Sequence, residues 1–304
     1  MASEGYHPPM AQVRVATGID IEYEVHGTGA PMLLVMGLGG QLVSWPSAFV
    51  AGLVDQGFQV ITFDNRDVGL SGRIDAPVPG TMRAVTSLLS RRLARPSYRI
   101  ADMAADALGL LDTLGIEQAH LVGASMGGMI AQEMAIAAPH RVSSMVSIMS
   151  TPDVRSQGRP RISLLVKLRR MSADGSLDPV ERELAVTRLL TGSTFGDDEA
   201  ENRVLIELAL ARGADAGGIA RQAAAVVGSP DRTAGLRRLR VPTLVVHGLE
   251  DPLVRFAGGV ATVRAIPGAR LVAFPDMGHG LPSRHVPVIV DHIVDNAART
   301  MAAV

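Results

Sequence analysis

The chain has 304 residues, 47% apolar and 19% charged, enough apolar material for a large core and no compositional sign of disorder. Its 29 basic and 30 acidic side chains leave a formal charge of -1, and its aromatics are few (Trp 1, Tyr 3, Phe 6), which argues against a nucleic-acid partner or an anionic membrane surface. Cysteine is absent and Lys167 is the one lysine, so disulfides, thiolate nucleophiles and cysteine-held metals fall away and Schiff-base chemistry has a single candidate.

In chain order, the first ten residues carry Glu4 and two prolines without an apolar run, and do not read as a secretion signal. Residues 19–25 alternate apolar and polar, as a half-exposed edge strand does. Residues 27–54 are uncharged, but glycines and prolines recur from Gly29 to Gly52, and a membrane helix would not tolerate that spread. A soluble, cytoplasmic protein with no integral membrane segment is expected. Nearly unbroken apolar runs at 32–36, 58–63, 119–122, 142–149 and 241–246 suit strands covered on both faces. Residues 100–114 place Met103, Ala107, Leu110, Leu111 and Leu114 on one helical face, and Gly115 sits where that helix would end.

Two segments interrupt the alternation. Residues 73–98 hold three prolines and a basic helical stretch at 82–93. Residues 152–239 are longer, more polar and helical in pattern, with Asp197, Asp198 and Glu199 adjacent. The regular pattern resumes at 241, continues through a strand at 271–274 and closes with a helix at 286–298. Short apolar runs alternating with helices predict an α/β fold with a mostly parallel central sheet flanked by helices. The chain is then a core of residues 1–151 and 240–304 with 152–239 inserted, because the sheet needs strands from both sides of the insertion.

Gly123-Ala124-Ser125-Met126-Gly127 fits the nucleophile-elbow pattern G-x-S-x-G. In a chain with 32 glycines the pattern alone is weak, but here an apolar strand precedes it and a helix pattern from 126 to 138 follows. Strand, tight turn and helix would put the Ser125 hydroxyl at a strained apex, with the helix N-terminus directed at a developing oxyanion. A serine needs a base, and His279 is the best placed of eight histidines, on a loop directly after the strand at 271–274. His120 and His247, at strand ends, read as packed imidazoles, and His285 and His292 as part of a solvated face of the last helix. The acid that would orient His279 is sought after the strand at 241–246, where Glu250 and Asp251 are adjacent. Chemistry does not separate them; Asp251, just before Pro252, is preferred. The order Ser125, Asp251, His279 is that of α/β-hydrolases.

With these motifs in place the chain resembles the α/β-hydrolase superfamily over nearly its whole length. Residues 33–40 (LLVMGLGG) resemble the loop after the third strand that supplies oxyanion donors, with Met36 where the family commonly has histidine. The resemblance implies that the backbone N–H groups of Leu38 and Met126 form the oxyanion hole. Residues 63–71 (FDNRDVGLS) resemble the family's D-x-R-G-x-G-x-S segment with Asp67 in place of glycine; Asp64 and Arg66 there are structural. The combination with G-x-S-M-G-G and Asp276-Met277-Gly278-His279 is most similar to aclacinomycin methylesterase-like carboxylesterases, in which residues 152–239 would form a helical cap after the sixth strand.

The expected activity is hydrolysis of small to medium carboxylic esters with apolar acyl or alcohol groups, through an acyl-enzyme. Ser125 would be the nucleophile, His279 the general base and acid, and Asp251 the group that orients His279. Met36, Leu38, Met126, Met129 and Met277 suggest an adaptable apolar pocket, with Gly37, Met129 and Met277 as substrate contacts, although several could be core alone. No cofactor or metal is implied, since no H-E-x-x-H or clustered His–carboxylate set occurs. The same triad serves thioesterases, carbon–carbon bond hydrolases and cofactor-free perhydrolases, and the fold also serves non-catalytic ligand receptors. Residues 159–170 could present an amphipathic surface to a partner, the blander reading being a helix over the cap's own core. The sequence leaves the physiological substrate and any homo-oligomer open.

Overall fold

A computed structural model describes residues 11–78 and 95–299; the N-terminal ten residues and the basic stretch at 82–93 lie outside the described residues. Eight strands form one sheet in the order β1-β2-β4-β3-β5-β6-β7-β8. They are β1 Ala11–Arg14, β2 Asp20–His26, β3 Ala30–Val35, β4 Phe58–Phe63, β5 Ala119–Ala124, β6 Val142–Ile148, β7 Thr243–Gly248 and β8 Arg270–Phe274. β1 pairs antiparallel with β2 and β2 with β4; every other pairing is parallel. Helix α1 (Ser47–Asp55) follows β3, α2 (Ile100–Thr113) precedes β5, and α3 (Met126–Ala137) follows it. Between β6 and β7 come α4 (Ile162–Ala173), α5 (Pro179–Thr191), α6 (Glu199–Ala211), α7 (Ala216–Gly228) and α8 (Thr233–Leu236). Helix α9 (Ala257–Ala265) joins β7 to β8, and α10 (Val286–Ala298) ends the described chain.

The apolar runs are continuous because both sheet faces are covered. Leu33, Val35, Ile61, Phe63 and Leu121 pack with α2 and α3 through Met103, Leu110, Leu111, Met129 and Ile130. Their neighbours Met32, Leu34, Val60 and Val122 face the other way, onto Phe49 and Leu53 of α1 and Ile289 and Ile293 of α10. Successive residues thus serve opposite cores, as the strand's twofold alternation requires. Each such fully buried aliphatic side chain is worth about 1.5–3 kcal/mol. At the end of α2, Gly115 takes φ +68° and the Ile116 N–H bonds back to the Leu111 carbonyl, a six-to-one closure that leaves the helix on its glycine.

β6 and β7 are direct neighbours, with Met145 opposite Thr243, so the segment carrying α4–α8 leaves the sheet and returns to the adjacent strand. Two buried ion pairs fasten it to the loop after β4: Arg212 to Asp64 at 2.6 Å and Arg221 to Asp67 at 2.7 Å. On α4, Leu164 is buried while Ile162 and Val166 are exposed. No helix among the described residues is long and apolar enough to cross a membrane.

Candidate active site

The strand β5 delivers Ser125 to a sharp bend. Ser125 has φ +55° and ψ -116°, a conformation that costs a non-glycine residue about 1–3 kcal/mol. Its surroundings hold it there: its N–H donates to the Ile148 carbonyl at 2.9 Å, and the Ser150 hydroxyl donates to its carbonyl at 2.7 Å. The glycines of the motif are steric requirements. A Cβ on Gly123 would collide with the Gly127 backbone, and one on Gly127 with the carbonyl of Val35 at the end of β3. A Cβ on Gly37 would lie 3.2 Å from the Ser125 Cβ, so the loop after β3 passes directly beside the serine.

The other two groups meet because the loops after β7 and β8 cross. The Leu249 N–H donates to the Phe274 carbonyl (3.0 Å) and the Glu250 N–H to the Met277 carbonyl (3.2 Å). A Cβ on Gly248 would overlap the Met277 carbonyl, so glycine is needed at the crossing. His279 Nδ1 lies 2.7 Å from Asp251 Oδ2, and His279 Nε2 lies 2.9 Å from Ser125 Oγ. An ionised carboxylate only accepts, so Nδ1 carries the proton and Nε2 is free to accept from the serine hydroxyl. The Asp251 side chain is fully buried, and its Oδ1 accepts from the N–H groups of Leu253 (2.9 Å) and Val254 (2.8 Å). Glu250 instead faces solvent and accepts from the Ser193 hydroxyl at 3.0 Å. The structure therefore brings Asp251, and not Glu250, to the imidazole.

A second imidazole lies behind the first. His247 is fully buried, and its Nε2–H donates to the Val254 carbonyl at 2.7 Å, with Asp251 Oδ2 3.6 Å away. Burial pushes its pKa below the ordinary value, so it stays neutral and braces the Asp251 turn. His120 is also held neutral by burial and lies 2.8 Å from the Ser144 hydroxyl. His285 differs from its expected place. It sits in a 3-10 turn (Ser283–His285) ahead of α10, stacks at a tilt on Phe274 and bonds Asp276 at 2.8 Å. That bond, ahead of the slight opposing effect of burial, holds the Asp276 carboxyl below its usual range.

Among the described residues neither the Leu38 nor the Met126 N–H has a protein acceptor. Both residues and Ser125 line a cavity of about 200 Å³. Its walls are apolar, from Met129 of the core to Leu165, Ala223, Val226 and Val227 of the α4–α8 segment, with Arg155 and Arg159 among the lining residues. Leu38, 43% exposed, also borders a more polar chamber of about 320 Å³ between the loop and α5–α7. Of the three expected substrate contacts, Met129 lines the smaller cavity. Met277 does not: it is fully buried in the core cluster with Val246 and Phe274, because the β8 loop turns it inward as His279 turns out. Gly37 lines neither cavity and is spent on the close approach to Ser125.

Parallel strands β3 to β8 with Ser125, Asp251 and His279 on loops at their carboxyl ends match the architecture of the α/β hydrolases. A family model described as the alpha/beta hydrolase fold matches residues 30–168, and the chain has that fold. Rhodomycin D methylesterase DnrP of Streptomyces peucetius is 29% identical over 88% of this chain and 92% of its own. The 2-hydroxy-6-oxononadienedioate/2-hydroxy-6-oxononatrienedioate hydrolase of Paraburkholderia phymatum is 28% identical over 88% of each. Among solved structures, a thermophilic esterase from Thermogutta terrifontis (malate bound) superposes with a TM-score of 0.72 at 26% identity, covering 96% of this chain and 99% of that one.

Proposed function

We propose that the chain is a serine carboxylesterase acting on small to medium esters with an apolar acyl or alcohol group. The observation that carries the reading is the unbroken line from Ser125 Oγ to His279 Nε2 (2.9 Å) and from His279 Nδ1 to Asp251 (2.7 Å), beside an apolar cavity. His279 takes the Ser125 proton as the oxygen attacks the ester carbonyl; Asp251 stabilises the imidazolium. The N–H groups of Leu38 and Met126 receive the oxyanion, and the N-terminus of α3 adds its partial positive charge. His279 then returns the proton to the departing alcohol. Water, deprotonated by the same imidazole, cleaves the acyl-enzyme and restores the Ser125 hydroxyl. Residues 152–239 act as a cap that supplies one wall of the cavity and excludes bulk water. None of these steps calls for a cofactor. The methylesterase and esterase among the similar proteins support ester hydrolysis.

The test is covalent labelling by a fluorophosphonate together with turnover of p-nitrophenyl esters of graded acyl length. Labelling that maps to Ser125 and vanishes, with turnover, in Ser125→Ala is the expected outcome. Absence of both in the wild-type protein, with tight retention of an apolar ligand, would make the fold a receptor.

A further inference from the structure

The loop from Met36 to Gly40 contains three glycines in five residues, and Gly39 adopts φ +72°. Such a segment has much backbone freedom to lose, so whatever fixes it fixes the donor geometry at Leu38. One restraint comes from the core, where the Asn65 side-chain amide donates to the Met36 carbonyl (3.0 Å), and one lies within the loop, where the Gly40 N–H donates to the Gly37 carbonyl (3.2 Å). The third comes from elsewhere in the chain. The Gly39 N–H donates to Oε1 of Gln222, on α7, at 2.9 Å.

We infer that Gln222 is a positioning residue for the oxyanion loop, so that the α7 segment takes part in transition-state stabilisation as well as in covering the cavity. The inference rests on the reading of the Leu38 N–H as an oxyanion donor. Gln222 is fully buried, and its Nε2 donates to the Arg66 carbonyl at 2.8 Å. A carboxamide with its oxygen on one backbone donor and its nitrogen on one backbone acceptor has a single orientation, and it ties residue 39 to residue 66. The Gly39 N–H is thereby committed, the plane of the Leu38–Gly39 peptide is set, and the Leu38 N–H next to it is left for the oxyanion. Ile219, one helical turn earlier on the same face of α7, meets Gly39 as well: a Cβ there would lie 3.3 Å from the Ile219 side chain. Arg221 grips Asp67 with two bonds, at 2.9 and 2.7 Å, and keeps this turn of α7 seated. An amide is the group this position requires: an apolar side chain would strand the Gly39 N–H and the Arg66 carbonyl, and a carboxylate could serve only the first.

The experiment compares full-length wild type, Gln222→Met and Gln222→Glu. It reads amide hydrogen exchange at residues 37–40, the rate of fluorophosphonate attachment to Ser125, and kcat and KM on one p-nitrophenyl ester. Loss of one oxyanion donor lowers kcat by about 10²–10³-fold, and a donor left in place but mobile loses part of that. The expected result for Q222M is Gly39 exchange at least about tenfold faster with β5 and β6 amides unchanged. Its kcat and its labelling rate should fall together by about 10- to 100-fold, with KM within about threefold of wild type. Q222E, which keeps an oxygen for the Gly39 N–H, should recover much of the kcat lost in Q222M. If Q222M does not fold, Q222E alone decides, with slow Gly39 exchange and less than about a tenfold loss of kcat as the supporting result. A Q222M kcat within twofold of wild type, or a Q222E loss beyond 100-fold with Gly39 exchange unchanged, overturns the inference and leaves the esterase reading standing. A wild-type protein that neither labels at Ser125 nor turns over esters overturns both.

Discussion

Asp67 is a non-glycine residue at φ +72° and is fully buried. Its carboxylate accepts four bonds: Arg221 Nε (2.9 Å) and Nη2 (2.7 Å), the Tyr98 hydroxyl (2.7 Å) and the Ile74 N–H (2.8 Å). Burial alone would raise its pKa, but Arg221 first, then the Ile74 N–H and Tyr98, hold it below the ordinary value of 3.8. Arg221→Met removes two of the four bonds and leaves a buried carboxylate half satisfied, at a cost of about 3–5 kcal/mol. At roughly 2 °C per kcal/mol for a chain of this size, the thermal midpoint at pH 7.5 should fall by about 6–10 °C. Asp67→Asn in the same background removes the stranded charge, so the double variant should be more stable than the sum of the single losses by about 2–3 kcal/mol.

The sign of the pH dependence follows from the same contacts. In the wild type the depressed pKa contributes stability above the unfolded value and loses it as pH falls through the folded one. In R221M the folded pKa moves up, so the native state gains a proton first and the gap to wild type narrows as the pH is lowered toward about 5. Thermal unfolding of the four proteins at both pH values is the assay. Additive single losses within about 0.5 kcal/mol, or a gap that widens in acid, would refute the account.

Two further outcomes are expected. Asp251→Asn should lower kcat by about three to four orders of magnitude through the wrong imidazole tautomer, while Glu250→Gln should stay within about threefold; equal effects on ester turnover would remove Asp251 from its role. Because burial depresses the pKa of His247, the folded state resists its protonation. Wild-type stability should therefore fall with pH below about 6.5, approaching 1.4 kcal/mol per unit. His120 acts in the same direction, so the measurement is the difference between wild type and His247→Gln from pH 5 to 8, and parallel curves would show that His247 contributes nothing to it.

The sheet was legible because its central strands are covered on both faces and so read as apolar runs. β1 escaped notice: Ala11–Arg14 is a four-residue edge strand whose identity comes from pairing with β2, not from its own composition. β5 runs two residues further than its apolar run, through Gly123 and Ala124, because Ser147 and Ile148 of β6 pair with them. Ser125, His279 and Asp251 stood out because each follows its own strand. Met277 was misjudged because proximity in sequence to His279 says nothing about which way a turn directs alternate side chains. His285 finds Asp276 and Phe274 across a turn that no periodicity signals. Gln222 lies in an alanine-rich helix with no motif, and its donor and acceptor partners, the Gly39 N–H and the Arg66 carbonyl, are 183 and 156 residues away. The substitution of Asp67 for glycine was visible, but not the arginine 154 residues further on that answers it.

Gly278 shows how the imidazole is seated. A Cβ there would strike the carbonyls of Leu190 and Thr191 at the end of α5, and the His279 N–H donates to the Leu190 carbonyl at 2.8 Å. The turn that bears His279 thus leans on the roof of the chamber as well as on the end of β7 beneath it. A hinge that swung α5 outward to admit a bulky molecule would take the Leu190 carbonyl away from the His279 N–H. Entry past another edge of the roof would leave that bond in place each time the chamber opened.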